Sequence, residues 1–507
     1  MTGRTPLFRL VLRALAQSCP NRPQSRRRFI QQLSAATAGT AAASCVSSRK
    51  FADDPPIAIV GGGVAGLTAA YRLSQKGRPV HLFEASQRCG GRIFTRKNFN
   101  ADNQFVELGA ELVDTGHKDL IRLAKELGLK LQNLLKNDPG HDTYWFDGKA
   151  RSEEDMRIAF TPLGNRIAAD AEGLYDAEDN FTEKARRLDQ ISLADYLKQN
   201  SAGVEPWAIR LLIAAYEPEL GVEVERQSCL NLVDFINPDT SEGFQVFGES
   251  DEAYRLQGGN SSLPDALHNA IKNKVDLRLG QRLRSIQQID SKLRLEFLTE
   301  KGPAAYTYDH VILAIPFTVL RNVSGINDLE LSDAKKRCIR EMGYGNNVKT
   351  FCSFTNRVWR DQTAPKQANG SVFSDVSTFQ NVWETSRGQD GSRGIITNLL
   401  GGSRAASHRT SFTPSYLSEL DAVFPGTKAA YDGKSGSMNW PKVPTALASY
   451  SAPLVGQYTW IYSVSGESEL DGRLLFAGEH TSFVSPGYMN GGVESGNRAA
   501  RELLQSC

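Results

Sequence analysis

The chain has 507 residues, 40% of them hydrophobic, and its 59 basic and 57 acidic side chains leave a formal charge of +2. That length implies two or more domains, and the near-neutral balance argues against a nucleic-acid partner. Cys19, Cys45, Cys89, Cys229, Cys338, Cys352 and Cys507 are scattered without a CxxC or a metal-ligand spacing, so neither an essential disulfide nor a metal site is expected.

Residues 1–50 differ in composition from the rest. Arg4, Arg9 and Arg13 mix with Phe8, Val11, Leu12 and Leu15 in a basic amphipathic pattern. Ser25-Arg26-Arg27-Arg28-Phe29-Ile30 then leads into the alanine-rich LSAATAGTAAAS, which resembles a twin-arginine export signal. Its apolar part is too short for a membrane span, and no later run reaches the length a span needs. Cys45 is a candidate lipid anchor, although Ala42 stands where a larger aliphatic residue is usual. The expectation is a signal and linker over 1–50, with export by the twin-arginine machinery to the periplasm or the exterior.

Ile57-Ala58-Ile59-Val60 has the length and composition of a buried parallel strand and runs into Gly61, Gly62, Gly63 and Gly66. Strand, glycine turn and helix make a dinucleotide cradle. Gly61 allows the tight turn, Gly63 lets the backbone approach a pyrophosphate, and Gly66 lets the helix lie against the strand. The helix ends near Gly77, and a second strand, Val80-His81-Leu82-Phe83, delivers Glu84. A carboxylate there accepts hydrogen bonds from ribose hydroxyls and disfavours a 2′-phosphate.

Arg88-Cys89-Gly90-Gly91-Arg92 adds a second glycine turn flanked by guanidinium groups that can fork onto phosphate oxygens. With the unit from Gly61 to Glu84, it resembles the FAD-binding opening of the flavin-dependent amine oxidase superfamily, which includes monoamine oxidases, polyamine oxidases and L-amino-acid oxidases. The resemblance covers nearly the whole chain after residue 55. It implies an α/β fold: a Rossmann-like FAD-binding domain discontinuous in sequence, plus an α+β substrate-binding domain with a helical insertion. Twin-arginine export of folded proteins suits an enzyme that takes up its flavin before leaving the cytoplasm.

On that basis the FAD domain occupies 51–118, 246–330 and 456–507, and the substrate domain 119–245 (helical) and 331–455 (sheet). Phe105 to Val113 reads as a strand with a kink at Gly109-Ala110, and by resemblance it passes close to the flavin ring. From about Asp119 to Glu242 the apolar spacing is mostly helical, as in LIRLAKELGL and PWAIRLLIAAYEPELG. Strands are expected at Val275–Leu279, Arg282–Ile289, Leu293–Leu298 and Asp309–Pro316, with the backbone near Leu283 pairing with adenine by resemblance. Lys349–Phe354 and Ile395–Leu400 suggest a mixed sheet. The last return carries Glu479 and Met489, flavin-binding candidates together with Gly61, Gly63, Gly66, Glu84, Arg92, Gly109, Ala110 and Leu283.

Amine oxidation removes a hydride equivalent from the carbon beside nitrogen, which must be neutral when it reacts, so aromatic faces suit the site. Tyr450 and Tyr488 resemble the paired aromatics that sandwich the amine in monoamine oxidases, and Trp440 precedes Tyr450 in the same segment. Lys349 matches the family lysine that assists reaction with oxygen. Ser449 stands where animal monoamine oxidases attach FAD through cysteine, so non-covalent FAD is expected. No arginine lies between Leu108 and Gly116, and Glu111 suits the distant ammonium of a polyamine better than a carboxylate. The expected reaction is oxidation of a primary amine or polyamine to an imine, with O2 reduced to H2O2. The alternatives are an L-amino-acid oxidase, which needs a carboxylate-binding arginine in the pocket, a desaturase-like flavoprotein, and a non-catalytic flavin-binding module.

Overall fold

The computed structural model describes residues 54–136, 140–236, 250–360, 368–407 and 414–506. The twin-arginine segment, the amphipathic pattern before it and the Cys45 anchor lie outside the described residues. Cys89, Cys229, Cys338 and Cys352 are free thiols. Among the described residues, no helix is long and apolar enough to cross a membrane, and no group of three metal-binding side chains is present.

The nucleotide half is built on five parallel strands: β1 (Ile57–Val60), β2 (Val80–Phe83), β3 (Asp276–Arg278), β4 (Val311–Leu313) and β5 (Leu474–Phe476). Their order across the sheet is β5-β4-β1-β2-β3. Segments far apart in sequence therefore meet in one sheet. β1 is buried along its whole length, which is why it reads as a continuous apolar run rather than an alternating one. The helix after it, α1 (Val64–Gln75), buries Leu67, Ala70 and Leu73 and packs against the closing helix, Met489–Ser506.

The second half is a seven-stranded sheet ordered 431–439, 347–354, 394–401, 381–384, 368–374, 141–146 and 149–151. Its last two strands, His141–Phe146 and Lys149–Arg151, correct the expectation of a mostly helical stretch from Asp119 to Glu242. They form a hairpin around Asp147 and Gly148, both at positive φ, where an Asp-Gly pair matches the strand twist. The helices expected in that stretch are present as well, among them Lys118–Glu126, Glu153–Ala171 and Pro206–Leu220. The expected strand from Phe105 to Val113 shortens to Val106–Glu107, followed by a bend at Leu108-Gly109 and an isolated bridge from Val113 to Tyr254.

Candidate active site

A cavity of about 1080 Å³ runs from the ends of the parallel strands to the seven-stranded sheet. Ordinary ligand pockets measure about 300–1,000 Å³, so there is room for a dinucleotide and a further small molecule. Its nucleotide end is lined by Gly61, Gly63, Val64, Glu84, Arg92 and Leu283, and its other end by Lys349, Trp383, Trp440, Tyr450 and Tyr488.

The glycines differ in what they permit. Gly61 has φ +111°, and a Cβ on it would lie 2.5 Å from the Ala314 carbonyl oxygen. A Cβ on Gly66 would lie 1.9 Å from the Gly61 oxygen, so that position is closed by the protein itself. At Gly63 a Cβ would meet nothing within 4 Å. Only the cavity lies there, which is the space a pyrophosphate needs at the N-terminus of α1. Glu84 is buried and already accepts from the Gly62 N–H and from the Ser86 N–H and hydroxyl, each at 2.7 Å, so the carboxylate is fixed at the cavity wall.

The two arginines of the second turn are placed differently from the phosphate fork expected of them. Arg88 donates to carbonyls of its own turn, Cys89 at 3.0 Å and Gly91 at 2.6 Å. Arg92 donates through one nitrogen to the Ser449 carbonyl at 2.6 Å and the Glu479 carboxylate at 2.9 Å. Guanidinium groups surrounded by carbonyls of their own fold donate to those first, and the helix terminus and glycine N–H groups remain for phosphate. Glu479 is correspondingly a knot: it also accepts from the Ser451 hydroxyl and the Gly487 N–H, both at 2.7 Å. Burial pushes its carboxyl up, but the Arg92 charge and these donors hold it below the usual range. Met489 opens the closing helix, and its buried side chain lines the cavity near Gly487 and Tyr488.

At the far end, Tyr450 donates its hydroxyl to the Glu219 carbonyl at 2.7 Å, and the Tyr488 ring lies 4.7 Å from that of His117. Both tyrosines line the cavity. Trp440 is fixed by an Nε1 hydrogen bond of 2.9 Å to the Leu108 carbonyl, and its ring lies over Gly109, where a Cβ would approach it to 3.0 Å. Ala110 lines the same wall. Ser449 directs its hydroxyl to Asn347 at 2.6 Å.

Lys349 and Glu111 form an ion pair at 2.9 Å, with side chains only 10% and 4% exposed. The lysine ammonium also donates to the Gly109 carbonyl at 2.8 Å and lies 5.1 Å from the centre of the Trp383 ring. The second carboxylate oxygen of Glu111 accepts from the Thr385 hydroxyl at 3.1 Å. Burial raises the Glu111 carboxyl, but the Lys349 charge and hydrogen bond, with smaller help from Trp383 and Arg255, bring the net shift downward. Nearby Glu107 is pushed up to about 7 by burial, despite donors from Asn260 and Thr95.

Sequence reasoning missed Glu219, Trp383 and Arg387, all of which line the cavity. Glu219 is buried, and burial, with a smaller contribution from Glu252, pushes its carboxyl well above the usual range. Its signal was the pair Glu217 and Glu219 in the last turn of a largely apolar helix, Pro206–Leu220, where carboxylates oppose the helix dipole.

A parallel-sheet dinucleotide cradle opening into an aromatic chamber with a buried lysine defines an FAD-type oxidoreductase site. The chain belongs to the flavin containing amine oxidoreductase family, which matches residues 64–504. It is 25% identical to the nicotine dehydrogenase of Pseudomonas putida, over 95% of this chain and 97% of that one. It is 24% identical to the flavin-containing amine oxidase A of Sus scrofa, over 89% of this chain and 85% of that one. Wild-type putrescine oxidase bound to putrescine shares the fold, with a TM-score of 0.74, 20% identity, and 89% of this chain and 99% of that one covered.

Proposed function

We infer that this protein oxidises a primary amine or polyamine to an imine, which water hydrolyses to an aldehyde and ammonia or a shorter amine, with O2 reduced to H2O2. The observation that carries this reading is the single cavity joining the glycine turns to Tyr450, Tyr488, Trp440 and Lys349. FAD fits its nucleotide end, where Gly63 leaves open space and Glu84 is held ready for ribose. When bound, FAD supplies the hydride acceptor. The protein's own part is to hold the amine between aromatic faces, whose negative quadrupole attracts its N–H groups and the positive charge that develops on nitrogen as hydride leaves. Non-covalent FAD is supported by Ser449, whose hydroxyl is engaged by Asn347. Acid precipitation should therefore release all the flavin.

The twin-arginine segment supports an exported, periplasmic or extracellular enzyme that folds around FAD before export. A second reading, L-amino-acid oxidase, is favoured by Arg387, which lines the cavity and is of the type that grips a substrate carboxylate. Incubating the purified protein aerobically with putrescine, spermidine, a monoamine and a panel of L-amino acids separates the two. Aldehyde and peroxide in equal amounts from amines support the main reading. Keto acids from amino acids, with no turnover of amines, would replace it with the second.

A further inference from the structure

The Glu111 carboxylate carries more structural information than a substrate contact requires. It comes from the segment after Val106–Glu107, it meets Lys349 from the seven-stranded sheet, and its other oxygen is taken by Thr385. Lys349 in turn is anchored by the Gly109 carbonyl and stands beside the Trp383 ring, all at the wall of the cavity that would hold the flavin. Arg255, whose guanidinium donates to Gln132 and to the Thr385 and Arg387 carbonyls, adds a weaker electrostatic pull on Glu111 than Lys349 does. We propose that Glu111 is a positioning residue for Lys349, the built-in counter-charge that makes the lysine one half of a neutral pair and thereby restrains the reaction of the reduced cofactor with oxygen.

The charge beside the cofactor matters most when the first electron moves to oxygen. Dioxygen becomes an anion, superoxide, as it takes that electron, and then accepts a second electron and two protons to leave as H2O2. A cation a few ångströms away in a low-dielectric cavity stabilises the developing anion strongly, whereas a tightly paired cation presents only a dipole. Burial of both partners keeps solvent from screening the carboxylate away from the ammonium. The inference rests on the amine-oxidising reading only for the direction of electron flow, and its test uses no amine.

The holoprotein is photoreduced anaerobically, mixed with O2, and its reoxidation followed by flavin absorbance. Wild type is compared with Glu111→Gln, which keeps the shape and removes the charge. The variant should reoxidise faster by about tenfold or more, the scale set by unmasking one charge at a few ångströms. Titration of the oxidised holoprotein with sulfite, an anion that adds to flavins, gives an independent readout, and the variant should bind it about tenfold more tightly. Should Glu111→Gln lose its flavin, Glu111→Asp, which withdraws the carboxylate by one methylene, should shift both readouts in the same direction. Rates and sulfite affinity equal to or below wild type overturn the inference. Failure of every amine to reduce the flavin would overturn the proposed activity and leave this result standing.

Discussion

His480 follows the Glu479 knot and is 1% exposed, and neither ring nitrogen has a hydrogen-bond partner. Its ring is packed edge-on to Phe317 at 4.5 Å and lies against Gly478, where a Cβ would come within 2.4 Å of it. Burial is the largest cause of a shift from 6.5 to about 3; Glu479 opposes it, while Arg92, Lys335 and Arg498 add to it. The imidazole is therefore neutral in the folded protein over the range where the unfolded chain's histidine takes up a proton. Between pH 6.5 and 3 the unfolded state binds more protons, so stability must fall as pH falls. Each unit is worth about 1.4 kcal/mol once well below 6.5, and from pH 7.5 to 5.0 the loss from this residue sums to about 2 kcal/mol. The perturbation is His480→Phe, which keeps an aromatic ring and cannot titrate. Urea unfolding of the FAD-saturated protein, followed by tryptophan fluorescence at pH 7.5 and 5.0, gives the stability difference between variant and wild type at each pH. Any packing cost of the larger ring cancels between the two conditions. The difference should move by about 2 kcal/mol in favour of the variant on acidification. A difference that does not change with pH would refute the reasoning.

Gly63 and Gly66 separate binding from folding. Gly63→Ala should leave the stability of the FAD-free protein within about 0.5 kcal/mol of wild type, because its Cβ meets no protein atom, yet weaken FAD by about tenfold or more in a fluorescence titration. Gly66→Ala should lower the melting temperature with or without FAD, since its Cβ collides with backbone. Lys335 is buried and donates to the Val464, Ser465 and Glu467 carbonyls at 2.6 to 2.8 Å. Lys335→Met should cost about 3 kcal/mol in urea unfolding by leaving those acceptors unsatisfied. Tyr450→Leu and Tyr488→Leu should each retain FAD and slow anaerobic flavin reduction by saturating amine about tenfold, measured by stopped flow.

What was legible in the sequence follows the range of the interactions involved. The first strand, glycine turn and helix are set by neighbours a few residues apart, so Ile57–Val60 and Val64–Gln75 read directly. The hairpin at Asp147-Gly148 was hidden because Tyr144, Trp145 and Phe146 sit among helices, and only pairing of His141–Phe146 with the distant strand Ala368–Ser374 settles their state. The site residues divide in the same way. Position near the cavity was readable for Tyr450, Tyr488, Trp440 and Lys349 from motif context. The partners of charged groups were not, because Glu111 and Lys349 are 238 residues apart and Arg92 and Glu479 are 387 apart. A charged side chain read alone invites a ligand, and the fold can supply a protein partner instead.

The measurement that bears most directly on the central claim is the visible spectrum of the purified protein under anaerobic addition of amines. The account predicts a yellow protein whose flavin band bleaches with a polyamine or a primary monoamine and returns when O2 is admitted. A flavin that stays oxidised with every amine, while photoreduction still bleaches it, would contradict the account.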